Sequence, residues 1–171
     1  LNAGYTANPV NPANLFPTQT TNALGQAETK QYDNRFGAVT QLTGPNGLTT
    51  QWQYDSWGRK TLEIRADGNQ TVWQYLYCNA TYGSPSTTCP SLSSGNSATL
   101  AYVVITTPQD NRAYQNAPQT KTYFDLLGRA IRSETQRAHD GVWIYTETLY
   151  NDLGQVAKKS EPALVGSAPT Y

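Results

Sequence analysis

Asn46-Gly47-Leu48-Thr49-Thr50-Gln51-Trp52-Gln53-Tyr54-Asp55-Ser56-Trp57-Gly58-Arg59 reads as a turn, a strand and a second turn. The next turn and strand are Asp67-Gly68-Asn69-Gln70-Thr71-Val72-Trp73-Gln74-Tyr75. The two stretches align without a gap, and Trp-Gln-Tyr recurs with Tyr54 and Tyr75 21 residues apart. Self-similarity at such a period marks a repeat architecture. Thr50, Trp52 and Tyr54 alternate with Gln51 and Gln53, which places aromatics on one face of a strand and amides on the other. Asn-Gly and Asp-Gly pairs favour two-residue hairpin turns, since such turns need positive φ. Asp55-Ser56-Trp57-Gly58 is a second kind of turn, in which an Asp bonds its own backbone and Gly supplies positive φ. Lys60 to Arg65 returns as a strand, with Leu62 and Ile64 on one face. One unit is therefore two strands and two turns. A lone hairpin is marginal in water, so the units must pack or pair with neighbours.

Working outward, the pattern weakens and returns. Residues 1–19 hold Pro9, Pro12 and Pro17 without alternation, and are read as an extended arm. Residues 20–77 form the first set of hairpins. Tyr32-Asp33-Asn34-Arg35-Phe36-Gly37 is one residue longer than the Tyr54 version, and a bulge is the expected way to absorb the extra residue. Residues 78–99 are small and polar and are read as an insertion loop. Residues 100–160 form a second set, opening on the apolar run Leu100 to Thr106 and including Tyr123-Phe124-Asp125-Leu126-Leu127-Gly128-Arg129 and Tyr150-Asn151-Asp152-Leu153-Gly154-Gln155. Residues 161–171 are a tail without the pattern. The predicted fold is all-β: tandem hairpins forming a twisted or spiralling antiparallel sheet, with no helical periodicity.

Composition narrows the function. The chain has 171 residues, 37% hydrophobic and 14% charged, with no net charge. No basic footprint for nucleic acid is present. No apolar run approaches the roughly 20 residues a membrane span needs. Twelve Tyr against three Phe suit a half-exposed β-surface. No secretory signal is recognisable, and the absence of Met points to a processed product or a piece of something longer. Cys78 and Cys89 allow one pairing. The expectation is a disulfide closing a surface loop in an oxidising compartment, with two free thiols as the alternative. That bridge is expected to close a loop whose deletion leaves the hairpins intact.

At these turns the chain resembles the Rhs/YD-repeat family. The loose signature is an aromatic residue, Asp, two variable residues, Gly and Arg. Tyr54, Asp55, Gly58 and Arg59 match it, and Phe124, Asp125, Gly128 and Arg129 match with Phe for Tyr. Tyr150 and Gly154 keep the frame but carry Asn151 and Gln155 at the Asp and Arg positions. Tyr32, Asp33 and Gly37 carry the longer turn without the Arg. The resemblance implies repeats that wind into a β-sheet spiral or shell, as in bacterial polymorphic toxins, insecticidal toxin complexes and the extracellular region of teneurins. The Asp-Pro motif tied to self-cleavage in toxin-bearing members is missing, so no toxin domain or protease is implied.

No nucleophile elbow or phosphate loop accompanies the single His139, and the Asp residues fall in turns, so no catalytic, cofactor or metal site is expected. Trp52, Trp73 and Trp143 form a candidate sugar platform, with Trp52 and Trp73 stacking as cross-strand pairs as the plainer reading. Arg59 and Arg129 are expected to pack over an aromatic or pair with a turn Asp. Asn69-Gln70-Thr71 and Asn79-Ala80-Thr81 match glycosylation acceptors. The preferred reading is a structural module of an extracellular or cell-surface protein. Its expected partners are adjoining repeats, or other copies of itself, met through open sheet edges, with Leu1 to Pro17 and Pro162 to Tyr171 as the junctions. The alternative is a carbohydrate-binding or adhesive surface with glycans as partner.

Overall fold

A computed structural model describes residues 2–4 and 15–171. Most of the expected N-terminal arm lies outside the described residues. The described part is all-β, with no helix among its elements. The chain divides into two units: Leu1–Thr71 with Asp110–Tyr114, and Val72–Gln109 with Gln115–Tyr171.

In the first unit the strands are β1 (Asn2–Gly4), β2 (Gln19–Thr21), β3 (Ala27–Tyr32), β4 (Val39–Thr43), β5 (Thr49–Tyr54) and β6 (Lys60–Ile64). Each pairs antiparallel with its neighbour in sequence. The predicted alternation holds in β5, where Gln51 and Gln53 are exposed and Thr50, Trp52 and Tyr54 are partly covered. Register then sets Gln53 opposite Leu62 and Gln51 opposite Ile64, while Trp52 faces Glu63. Amides and aliphatics thus share one face, and neither face is purely apolar. Only Thr18 and Tyr32 are buried among the described residues of this unit.

β7 (Gln70–Tyr77) crosses the division between the units. The second unit contains β8 (Leu100–Gln109), β9 (Thr120–Asp125), β10 (Ala130–Gln136), β11 (Trp143–Tyr150), β12 (Val156–Lys159) and β13 (Ala163–Leu164). From β8 to β12 each strand is antiparallel to the next, and β13 pairs with β11 beside Ile144 and Tyr145. Here lies the core: Leu100, Val103, Tyr123 and Ile131 are buried together. The tail holds β13. It adds a strand to its own unit, and Glu161 N–H donates to the Thr170 carbonyl at 2.8 Å.

The loop 78–99 differs from its expected role. Cys78 and Cys89 form the disulfide. Both cysteines, with Leu92 and Ala98, pack against the buried cluster. Two apolar side chains and a bridge, dispersed among Ser and Thr, are enough to cover a sheet face. Deleting the loop would uncover part of that core.

The turns also correct the sequence reading. Asn46-Gly47 and Asp67-Gly68 are not two-residue turns with two positive φ angles. Gly47 and Gly68 have φ of 77° and 82°, but Asn46 and Asp67 do not have positive φ. Gly44 N–H donates to Leu48 O and Gly47 N–H to Gly44 O, at 2.9 Å each. This is the three-residue connection, a type I turn followed by a left-handed residue, which accepts the same Asn-Gly and Asp-Gly pairs. The same bracket of two backbone bonds closes the turns from Asn22, Asp55, Arg65, Asp110, Asp125 and Asn151.

Ala113 occupies the left-handed position of the Asp110 turn with φ of 66°. A Cβ there costs about 1 kcal/mol or more relative to Gly. Ala113→Gly is expected to stabilise the chain by about 1 kcal/mol in chemical denaturation. Gly58→Val is expected to cost about 2 kcal/mol, because φ is 77° and a Cβ would also sit 3.1 Å from the Phe36 ring. Equal stability of both variants and the parent would remove the turn account.

Candidate functional site: the repeat junction and a buried ionic cluster

The repeat motif has a definite geometry. Asp55 Oδ1 accepts two backbone N–H groups, from Trp57 and Arg59, both at 2.9 Å. Asp125 Oδ1 does the same for Leu127 and Arg129 at 3.0 and 2.9 Å. The second carboxylate oxygen pairs with the Arg at 2.7 Å in each turn. Burial works against ionisation of Asp55 and Asp125, but the Arg59 and Arg129 amides and guanidinium groups outweigh it and hold both carboxyls below their usual range. The expected pairing of Arg59 and Arg129 with turn Asp residues is what the structure shows, and Arg129 also lies 4.8 Å over the Tyr150 ring.

The turn that departs from the signature keeps the geometry. Asn151 Oδ1 accepts from Leu153 and Gln155 at 3.0 and 2.9 Å, and Asn151 Nδ2 donates to Gln155 Oε1 at 3.3 Å. Asn22 and Gln26 repeat this arrangement, with the amide pair at 2.7 Å. In the Asp55 and Asp125 turns Asp goes with Arg, and in the Asn22 and Asn151 turns Asn goes with Gln, an exchange of an ion pair for an amide pair, while the Asp110 turn has Tyr114 at the Arg position. The residue two beyond the Asp or Asn contributes only its N–H. Its side chain is free, and Leu24, Trp57, Leu127 and Leu153 are all exposed there.

Each motif hairpin carries a bulge one residue into its return strand. The register shifts at Tyr32, Tyr54, Tyr150 and opposite Phe124 leave Thr40, Thr61, Ala157 and Ile131 unpaired. The bulge is common to all four, so it does not absorb the extra residue of the Asp33 turn. That residue enlarges the turn itself: Gly37 N–H reaches Asp33 O across four residues, where Gly58 reaches Asp55 across three. In the longer turn Asp33 pairs instead with Arg35, two residues on, at 2.7 Å.

The aromatic at the head of the motif reaches the preceding repeat. Tyr54 hydroxyl donates to the Val39 carbonyl at 2.8 Å, and Tyr150 hydroxyl to the Ala130 carbonyl at 3.2 Å. Val39 and Ala130 are each the first residue of a return strand, directly before the bulge. A bulge interrupts the ladder there, and the next repeat's tyrosine supplies the donor. Tyr32 makes a like bond to Pro17 O at 2.8 Å. Turn glycines complete the junction: Gly37 lies under the Phe16 ring and Gly58 under Phe36. Phe124 has no hydroxyl and stacks on Tyr102 at 4.9 Å instead.

Trp52 donates from Nε1 to Glu63 Oε2 at 2.8 Å, and Lys60 Nζ stands 5.4 Å from its ring centroid. Trp52 thus pairs across the strands with a carboxylate. Trp143 has Lys121 Nζ 4.2 Å over its ring. Trp73 belongs to the second unit and Trp52 to the first.

Sequence reasoning missed an ionic cluster in the second unit. Arg132 faces Glu147 across β10 and β11 and Tyr123 across β9 and β10. The bulge at Ile131 interrupts alternation, and both Ile131 and Arg132 are buried. Arg132 donates to Glu134 at 2.8 Å and to Glu147 at 3.1 Å, and its guanidinium lies 3.6 Å over the Tyr145 ring. Tyr123 hydroxyl completes Glu134 at 3.2 Å. Glu147 is fully buried. It accepts from Ser93 N–H, Ser93 hydroxyl, Asn96 and Tyr171 hydroxyl, so one carboxylate holds the loop, the tail and the sheet. Burial opposes its charge, but the Ser93, Tyr171 and Asn96 donors win and keep its pKa below the ordinary 4.5. The sequence signal was the alternation Arg132-Ser133-Glu134 facing Tyr145-Thr146-Glu147, but Ser93 lies 54 residues from Glu147.

Chemically this cluster is satisfied rather than poised. No buried side-chain nitrogen or oxygen lacks a partner among the described residues. No group of three His, Cys, Asp or Glu residues able to hold a metal occurs among them either. A carboxylate with a lowered folded pKa contributes stability above its unfolded value, and that contribution is lost as pH falls through the folded value. Glu147→Gln leaves Arg132 with one fewer charge partner and is expected to cost about 3 kcal/mol at neutral pH. It should also flatten the acid limb of the stability–pH curve below 4.5. Denaturation midpoints across pH check both, and parallel acid limbs in the variant and the parent would overturn the assignment.

Residues 32–71 match the family model described as RHS Repeat. No curated protein matches the chain. The matched segment spans the Asp33 and Asp55 turns, the Tyr54 bond to Val39 and the Gly47 and Gly68 turns, and over these residues the chain is similar to RHS repeats.

Proposed function

We propose that this structural repeat module is a scaffold or shell segment of an extracellular or cell-surface protein, and that it works by pairing its outer strand with further β-structure. The observation that carries the reading is how the motif residues are spent. The motif residues serve the turns and the bonds to the preceding repeat: Asp55 and Asp125 with Arg59 and Arg129 close turns, and Tyr54 and Tyr150 reach back to Val39 and Ala130. The outer strand β12 repeats the same preparation. Val156 is the first residue of its return strand, opposite Tyr150 and before the bulge at Ala157, at the position of Val39 and Ala130. All four residues of β12 are exposed. Lys158 and Lys159 on this edge act against indiscriminate pairing. A disulfide within the core-covering loop suits an oxidising compartment.

Sedimentation velocity across the micromolar range tests the reading. Concentration-dependent association is expected, and Val156→Lys should weaken it by placing a third lysine on the edge. A parent chain that remains monomeric at every concentration contradicts edge pairing between copies. Specific glycan-array binding lost in Trp52→Ala would favour an adhesive surface instead.

A further inference from the structure

We propose that Asn79, and not Asn69, is an attachment site for an N-linked glycan. The proposal rests on the extracellular reading above. Both residues head an Asn-x-Thr acceptor sequence, and the structure separates them. Asn69 Nδ2 donates to Asp67 Oδ2 at 2.7 Å. Its Thr71 hydroxyl accepts from Arg65 at 3.0 Å, and Gln70 and Thr71 already belong to β7. Both acceptor side chains are thus engaged, and the backbone between them is held in a strand.

The second sequence stands in a different setting. Asn79, Ala80 and Thr81 are all exposed and lie outside any strand. Asn79 Oδ1 accepts the Thr81 and Tyr82 N–H groups at 2.9 and 3.2 Å. These bonds fix the carbonyl side of the amide. The neighbouring Cys78–Cys89 bridge anchors the segment, so the acceptor stands on a fixed base after folding. The chemistry is a substitution at the anomeric carbon of a lipid-pyrophosphate oligosaccharide. The Asn79 Nδ2–carbon bond forms, the carbon–oxygen bond to pyrophosphate breaks, and the amide proton passes to a base of the transferase. The lipid pyrophosphate leaves, and nothing is oxidised or reduced.

The test is translation of the full chain behind a cleavable signal sequence with microsomal membranes, scoring only the protease-protected fraction. One glycan increment, removed by an N-glycosidase, is expected in the parent and in Asn69→Gln. It should vanish in Asn79→Gln and in Thr81→Ala. An increment that persists in Asn79→Gln, or a protected, disulfide-bonded parent without one, overturns the proposal. Secretion of folded protein from cultured cells is read separately: a folded, secreted but unglycosylated chain overturns the glycan assignment alone. Failure of the chain to leave the cell counts against the extracellular reading, while the protected fraction still decides Asn79.

Discussion

A side-chain oxygen that accepts two backbone amides across a tight turn is the interaction on which the repeat depends. Each motif turn leaves N–H groups with no partner in the strand ladder, and Asp or Asn at the head of the turn accepts them. The first consequence is conformational: the chain can close in three residues only if a left-handed residue follows, hence Gly58, Gly128 and Gly154. The second is electrostatic. A carboxylate that takes two amides keeps one oxygen for a cation, and Arg59 and Arg129 supply it. Where the head is Asn, the spare group is an amide, and Gln155 matches it. The turn closes and its sheet bulges, and the bulge lets the next tyrosine in.

That chain of causes explains why the repeat is recognisable while its variable positions are not. Trp57, Leu127 and Leu153 contribute a backbone N–H and expose their side chains, so their identity is weakly constrained. Tyr is preferred to Phe because its hydroxyl crosses to the preceding repeat. Phe124 shows the cost of losing it, since that site relies on a stack with Tyr102.

Much of this was legible from sequence because it is local. Alternation in β5, the turn glycines and the recurrence of Asp with Arg four residues later all sit within a few residues of one another. The turn type was not legible, because Asn-Gly and Asp-Gly satisfy both the two-residue and the three-residue connection, which differ only in whether Asn46 or Asp67 also turns left-handed. The core role of the loop was hidden because Leu92 and Ala98 are isolated among Ser and Thr. The Glu147 cluster was hidden for a different reason: charged residues in strands read as solvent-facing, and only the fold brings Ser93, Asn96 and Tyr171 to one carboxylate. The two units also differ in kind. The first holds together mainly by turns and inter-repeat bonds, whereas the second adds a covered core and a buried ion pair.

The compensated exchange at the turn is the most direct point of test. Asp125→Asn, Arg129→Gln and the double variant, compared by chemical denaturation, form a cycle on one turn. If the turn is held by a matched pair, each single variant loses about 1 kcal/mol and the double variant recovers much of the loss, with a coupling near 1 kcal/mol as expected for contacting residues. The Asn151–Gln155 pair is the geometry it should adopt. Losses that simply add, within about 0.3 kcal/mol, would contradict the matched pair as the constraint that holds this turn.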